Sequence, residues 1–98
     1  MEINLTKKES TMEIALQGRL DTTTAPQLEA KLNDEIADVK ELVLDFAKLD
    51  YISSAGLRVV LAAQKIMNKQ GSMVIRNVNS DIMEVFNITG FSDILTIE

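Results

Sequence analysis

Two adjacent serines, Ser53 and Ser54, stand immediately before Ala55-Gly56-Leu57 in the stretch LDYISSAGLRVVL. Hydroxyls placed where a helix begins can serve in two ways. One can accept a hydrogen bond from an unpaired backbone N–H of the first turn, and serine is a preferred residue for that cap. One can also act as a nucleophile if a base stands within hydrogen-bond reach. The chain has no histidine and no cysteine. A Ser-His-Asp triad is therefore impossible, as are thiolate chemistry, disulfides and Cys/His zinc sites. A Lys or Asp would have to be the base, and none stands at a defined spacing from the serines. No enzymatic activity is expected. EF-hand spacing, the Walker phosphate loop and G-x-G-x-x-G are all absent, so no metal or cofactor is expected either.

The residues around the serines have readings of their own. Gly56 permits close backbone approach. Arg58 puts a cation four residues after Ser54, about one helical turn away. Asp21, in GRLDTTTAP, is a turn residue whose carboxylate can bond nearby backbone amides. Asp45 and Asp50 flank a strand end, and Asp50 reads as turn solvation.

These side chains need elements to hold them. Ile3 and Leu5 alternate with Asn4 and Thr6, then Met12, Ile14 and Leu16 alternate with Thr11, Glu13, Ala15 and Gln17. Two such strands around the polar KKES turn predict a hairpin. Thr24 with Gln27 three residues later has a capping-box pattern, Pro26 suits a first turn, and Leu28, Leu32 and Ile36 form one helical stripe. ELVLDF predicts a central parallel strand buried on both faces. Leu57 to Lys69 has no breaker and is helical, with Gly71 suited to a left-handed stop. SMVIR is a strand. Ser80 caps a third helix that Gly90 closes, and DILTI is a final strand. The order is β-β-α-β-α-β-α-β. It predicts an α/β fold whose mixed, mostly parallel sheet carries an N-terminal β-hairpin. The second helix is apolar over a wide arc from Leu57 to Met67. That arc reads either as a broad core contact or, in its first turn, as an exposed partner patch.

The chain has 98 residues, enough for one domain over residues 1–98, and no repeat, linker or low-complexity segment. A hydrophobic fraction of 46% with 26% charged residues fits a globular protein. A net charge of −5 without a basic run speaks against nucleic acid as a partner. The N-terminal MEINLTKKES has no apolar signal region, and the longest apolar run, Val59 to Ala63, cannot span a membrane. A cytoplasmic monomer without membrane insertion is the expectation.

Three segments together resemble the STAS domain family, named for sulfate transporters and anti-sigma factor antagonists. They are Gly18-Arg19-Leu20-Asp21, the run from Asp45 to Leu57, and the tail VFNITGFSDILTI. The likeness extends over roughly Ile3 to Ile97 and implies a STAS-like single domain. A stand-alone domain of this size is similar to bacterial anti-sigma factor antagonists, also called anti-anti-sigma factors. These bind an anti-sigma factor that is a serine kinase and so free the sigma factor for transcription. Phosphorylation of one serine releases the antagonist, and a PP2C-like phosphatase resets it. The family's acceptor lies two residues before the Gly-Leu pair, which is Ser54 here. The resemblance also implies partner contacts around it, at Asp21, Ser53, Gly56, Leu57 and Arg58. The other class it allows is a non-switching accessory subunit of a membrane lipid or anion transporter.

The chain departs from the pattern at two positions. Ser53 stands where the best-known sporulation and stress-response members carry Asp, which removes a carboxylate and adds a rival hydroxyl. Arg58 stands where a small residue is frequent. A phosphate on Ser54 would bring about −1.5 to −2 charges to a helix start that tolerates anions. Ser53 reads mainly as the cap.

Overall fold

A computed structural model describes all 98 residues. Strands β1 (Glu2–Lys8) and β2 (Thr11–Leu20) form the antiparallel hairpin. Helix α1 (Ala25–Glu35), strand β3 (Glu41–Ile52), helix α2 (Ser54–Gln70), strand β4 (Ser72–Arg76) and helix α3 (Ser80–Thr89) follow. The sheet order is β1-β2-β3-β4, with β2, β3 and β4 parallel to one another. This is the mixed, mostly parallel sheet that the alternation of elements predicts.

One face of the sheet carries the core. Ile14 and Leu16 of β2, Leu44 and Phe46 of β3, and Ile75 of β4 are buried against Leu28, Val60, Met67 and Phe86 from the three helices. The opposite face is open. Glu13 and Gln17 on it are exposed, and Ala15, Val43, Asp45 and Val74 are only half-buried. The expectation of a strand buried on both faces is therefore corrected. Leu42-Val43-Leu44 looks continuous in sequence, but all three helices pack on one side, as a sheet with an antiparallel edge permits.

Strand β3 is also longer than ELVLDF. Between Asp45 and Ile52 it carries two more residues than the facing stretch of β2, in two register shifts. Each bulge resets the alternation. Phe46, Leu49 and Ile52, three apart, therefore all point into the core.

The terminal segment differs from its expectation. Phe91–Asp93 forms a 3-10 turn, and the N–H groups of Ile94 and Leu95 bond back to the Phe91 carbonyl at 3.0 and 2.8 Å. Those donors are lost to a ladder. The eighth element is reduced to one parallel bridge, Ile97 with Ile75, made by bonds from Ile75 N to Thr96 O and from Glu98 N to Ile75 O.

Two helix ends also depart from the sequence reading. Asn79, not Ser80, caps α3; its Oδ1 accepts from Ile82 N at 2.8 Å and its Nδ2 donates to Leu49 O at 3.0 Å. Gly71 has an extended φ of 178°, not a left-handed one. Its glycine is required by space, since a Cβ there would lie 1.9 Å from the Lys40 carbonyl oxygen. Gly90, at φ 81°, closes α3 in the left-handed region as expected.

Candidate functional site at the start of the second helix

Strands β2 and β3 end side by side, with Ser53 N donating to Leu20 O at 2.9 Å. Their carboxyl ends feed α1 and α2, so both helix N-termini open on one edge of the sheet. In parallel α/β sheets this edge is where functional groups gather. Gly56 makes the arrangement possible. A Cβ there would stand 2.7 Å from Leu20 Cγ and 3.0 Å from both Ile52 Cγ1 and Leu20 O. The missing side chain lets α2 begin directly on the strand ends.

The two serines are in different situations. Ser53 is the N-cap, with extended backbone, and its Oγ accepts from Gly56 N at 3.3 Å. It is half-buried. Ser54 is the first helical residue, exposed, and its hydroxyl makes no hydrogen bond within the chain. The local physics therefore separates a structural serine from an available one. A Ser53→Ala change should cost about 1 kcal/mol of stability. Ser53→Asp should instead gain roughly 0.5 kcal/mol, because a carboxylate there meets the positive end of α2. Urea unfolding of both variants checks this; equal stability of the two would show that Ser53 does not act as a cap.

The other expected residues divide by depth. Gly56 is buried and Leu57, 7% exposed, belongs to the core, so both support the surface from beneath. Arg58 is exposed and makes no ion pair. With Thr22, Pro26, Glu29, Ala55 and Val59 it lines a groove of about 180 Å³ between α1 and α2, beside Ser54.

Asp21 is half-buried at the start of α1. Its Oδ1 accepts from Thr23 N at 3.0 Å and Thr24 N at 3.1 Å. The Thr24–Gln27 capping box does not form. Thr24 has helical backbone, and its hydroxyl donates to Arg19 O at 2.7 Å and accepts from Asp21 N at 2.8 Å. Asp21 takes the Thr24 amide that the Gln27 side chain would have held in the box, and the Gln27 amide bonds the Thr24 carbonyl at 3.0 Å instead. The Thr24 amide above all, then the Thr23 amide, the Thr24 hydroxyl and the Arg19 charge hold its carboxyl below the usual value, against a smaller desolvation effect. A group depressed in the folded state stabilises above its unfolded pKa and loses that contribution as pH falls through the folded one. Asp21→Asn should thus lower the urea midpoint at neutral pH, and the deficit should shrink below about pH 4. A deficit independent of pH would sink this assignment.

Two residues of this edge are not marked by sequence spacing. Arg19 and Tyr51 are cross-strand partners, and the guanidinium lies 4.2 Å from the Tyr51 ring centroid. Arg19 Nε also stands 3.8 Å from Asp21 Oδ2. Their pairing depends on the second bulge of β3, which no residue pattern reveals. Asp45 lies farther down the sheet, where its Oδ1 accepts from Asn77 Nδ2 and Ala47 N, both at 2.9 Å. It closes the first bulge. Asp50 is exposed and makes no hydrogen bond or ion pair. No three His, Cys, Asp or Glu side chains are grouped as a metal site, and no helix is long and apolar enough to cross a membrane.

Comparison with known proteins agrees with this architecture. The STAS domain model matches residues 2–98. BtrV of Bordetella bronchiseptica, described as an anti-sigma factor antagonist, is 38% identical over 99 residues, covering 99% of this chain and 85% of its own. The anti-sigma-B factor antagonist of Bacillus subtilis is 28% identical over 98 residues, with 99% and 90% covered. Among solved structures, the Bacillus cell fate determinant SpoIIAA in its phosphorylated form superimposes with a TM-score of 0.79 at 23% identity, over 99% of this chain and 91% of that one. The chain belongs to the STAS domain family, among its anti-sigma factor antagonists.

Proposed function

We propose that this protein binds an anti-sigma factor that is also a serine kinase, and that phosphorylation of Ser54 ends the association. One observation carries the reading: the Ser54 hydroxyl is exposed and unbonded, while its neighbour Ser53 is engaged as the cap. The protein then has no catalysis of its own. It offers the kinase a contact surface made of Ser54, Arg58, Asp21 and Ser53, with Gly56 and Leu57 holding that surface from below. Bound, it keeps the anti-sigma factor off its sigma factor and so permits transcription in the cytoplasm.

The switch needs no refolding. A phosphoryl group adds about −1.5 to −2 charges to a chain already at −5. It sits at a helix N-terminus, where free N–H groups and the helix dipole tolerate an anion. Arg58, unpaired and one turn on, is positioned to share the charge. Intramolecular cost is therefore small, and the charge and bulk act on the partner. A PP2C-like phosphatase restores the hydroxyl.

Pull-down from native cells with phosphosite mapping tests the reading. A serine-kinase anti-sigma factor should be recovered, with the phosphate on Ser54 confined to the unbound pool. Recovery of an ABC-type ATPase with Ser54 unmodified would replace this reading with that of a transporter accessory.

A further inference from the structure

We propose that the open face of the sheet binds a free α-amino acid. A hollow of about 210 Å³ lies there, lined by Asn4, Ala15, Gln17, Asp45, Ala47 and Lys48 with the Leu16 backbone between them. The strand register builds it in two rows. Asn4, Ala15 and Asp45 stand side by side across β1, β2 and β3; Gln17 and Lys48 pair in the next row. The first bulge of β3 falls between the rows. It sends Phe46 into the core and leaves Ala47 on the open side. Two alanines thus form a floor where larger side chains would fill the space.

The rim carries polar groups that the fold does not use. Lys48 makes no ion pair or hydrogen bond, and neither do the side-chain amides of Asn4 and Gln17. Asp45 spends only Oδ1, on Asn77 and Ala47; Oδ2 is free. Arg76, whose charge acts on Asp45, is itself tied to Glu98 at 2.9 Å. Asn77 above all, then the Ala47 amide, keeps Asp45 ionised. One free cation and one free anion on a rim ask for the opposite pair on a ligand. The carboxylate of an amino acid would meet Lys48 and its ammonium would meet Asp45. Asn4 and Gln17 supply the remaining donors and acceptors, and the side chain would lie over the alanines. The hollow is smaller than the roughly 300–1,000 Å³ of pockets that enclose drug-sized ligands, which suits a ligand of amino-acid size.

This site is separate from the Ser54 edge and stands whether or not Ser54 is phosphorylated. Its test is a titration of the ¹⁵N-labelled protein with each common L-amino acid at millimolar concentrations, followed by amide chemical shifts. At least one should give saturable shifts centred on Ala15, Gln17, Ala47 and Lys48. Ala15→Leu, which fills the floor, and Lys48→Glu, which reverses the cation on an exposed site, should each weaken binding by about tenfold or more. Saturable shifts with no amino acid, or saturation unchanged in both variants, would overturn the proposal. So would propionate or ethylamine alone perturbing the same amides as strongly as alanine does.

Discussion

Given ATP and the serine kinase proposed as its partner, a Ser54→Ala variant is expected to take up no phosphate, whereas Ser53→Ala is expected to be labelled at close to the wild-type level. The two hydroxyls are adjacent in sequence, so this contrast rests on structure. Ser54 is exposed and free; Ser53 is half-buried and its oxygen accepts from the Gly56 amide. A kinase must bring the acceptor oxygen in line with the γ-phosphate, and a hydroxyl fixed beneath the first turn is poorly placed for that. The loss of the cap in Ser53→Ala costs stability and leaves the acceptor in place. A matching binding experiment uses Ser54→Glu. The added charge on the contact surface should weaken the complex by at least about tenfold, or 1.4 kcal/mol. Equal labelling of Ser54→Ala and wild type would remove Ser54 as the acceptor. Full-strength binding by Ser54→Glu would remove charge as the means of release.

Gly71→Ala is expected to be the most destabilising single-methyl addition in the chain. The new Cβ would lie 1.9 Å from Lys40 O, 2.7 Å from Lys40 C and 2.9 Å from Lys40 Cα. All three are backbone atoms, and Lys40 O already accepts from Ser72 N at 2.9 Å. Relief requires moving the start of β3 or of β4, which are neighbours in the sheet. We expect a loss of about 3 kcal/mol, at the upper end for overpacking, and a fall in Tm of roughly 12 °C or more. Gly56→Ala meets Leu20 Cγ at 2.7 Å and should cost less, about 2 kcal/mol. Its functional effect should be the larger, because it lifts the start of α2 off the strand ends. Labelling of Ser54 in folded protein should fall for Gly56→Ala and persist for Gly71→Ala. A Gly71→Ala loss below about 1 kcal/mol would show that the turn has room the close contact with Lys40 denies.

The sequence carries the elements of the hairpin and the three helices openly. Their periodicities are uninterrupted, and Gly90 marks a true left-handed stop. What it conceals is anything set by register. Phe46, Leu49 and Ile52 share the core only because two bulges intervene, so a reading in simple alternation ends the strand at Phe46. The same bulges bring Arg19 to Tyr51 and open the hollow over Ala15 and Ala47. Helix ends are ambiguous for a related reason. Thr24 with Gln27, and Ser80 before Asp81, both have the composition of caps, but Asp21 and Asn79 reach the free amides first. Gly71 looks like a stop signal and is instead a point of contact with a residue 31 positions earlier. At the site, the sequence marks Ser54, Gly56 and Asp21. Ser53 is legible there as the cap as well; the structure adds the bond from Gly56 N that engages its hydroxyl and leaves that of Ser54 free.

The stacked pair of Arg19 and Tyr51 gives the protein an optical property. Tyr51 is its one tyrosine, and it has no tryptophan. Its near-ultraviolet emission therefore comes from a single ring, three residues before Ser54, under a guanidinium 4.2 Å away. A charge arriving at Ser54 or a partner closing over the edge alters the surroundings of that one fluorophore. The unlabelled protein, excited beyond the absorption of its three phenylalanines, can thus report the phosphorylation proposed at Ser54 with no probe attached.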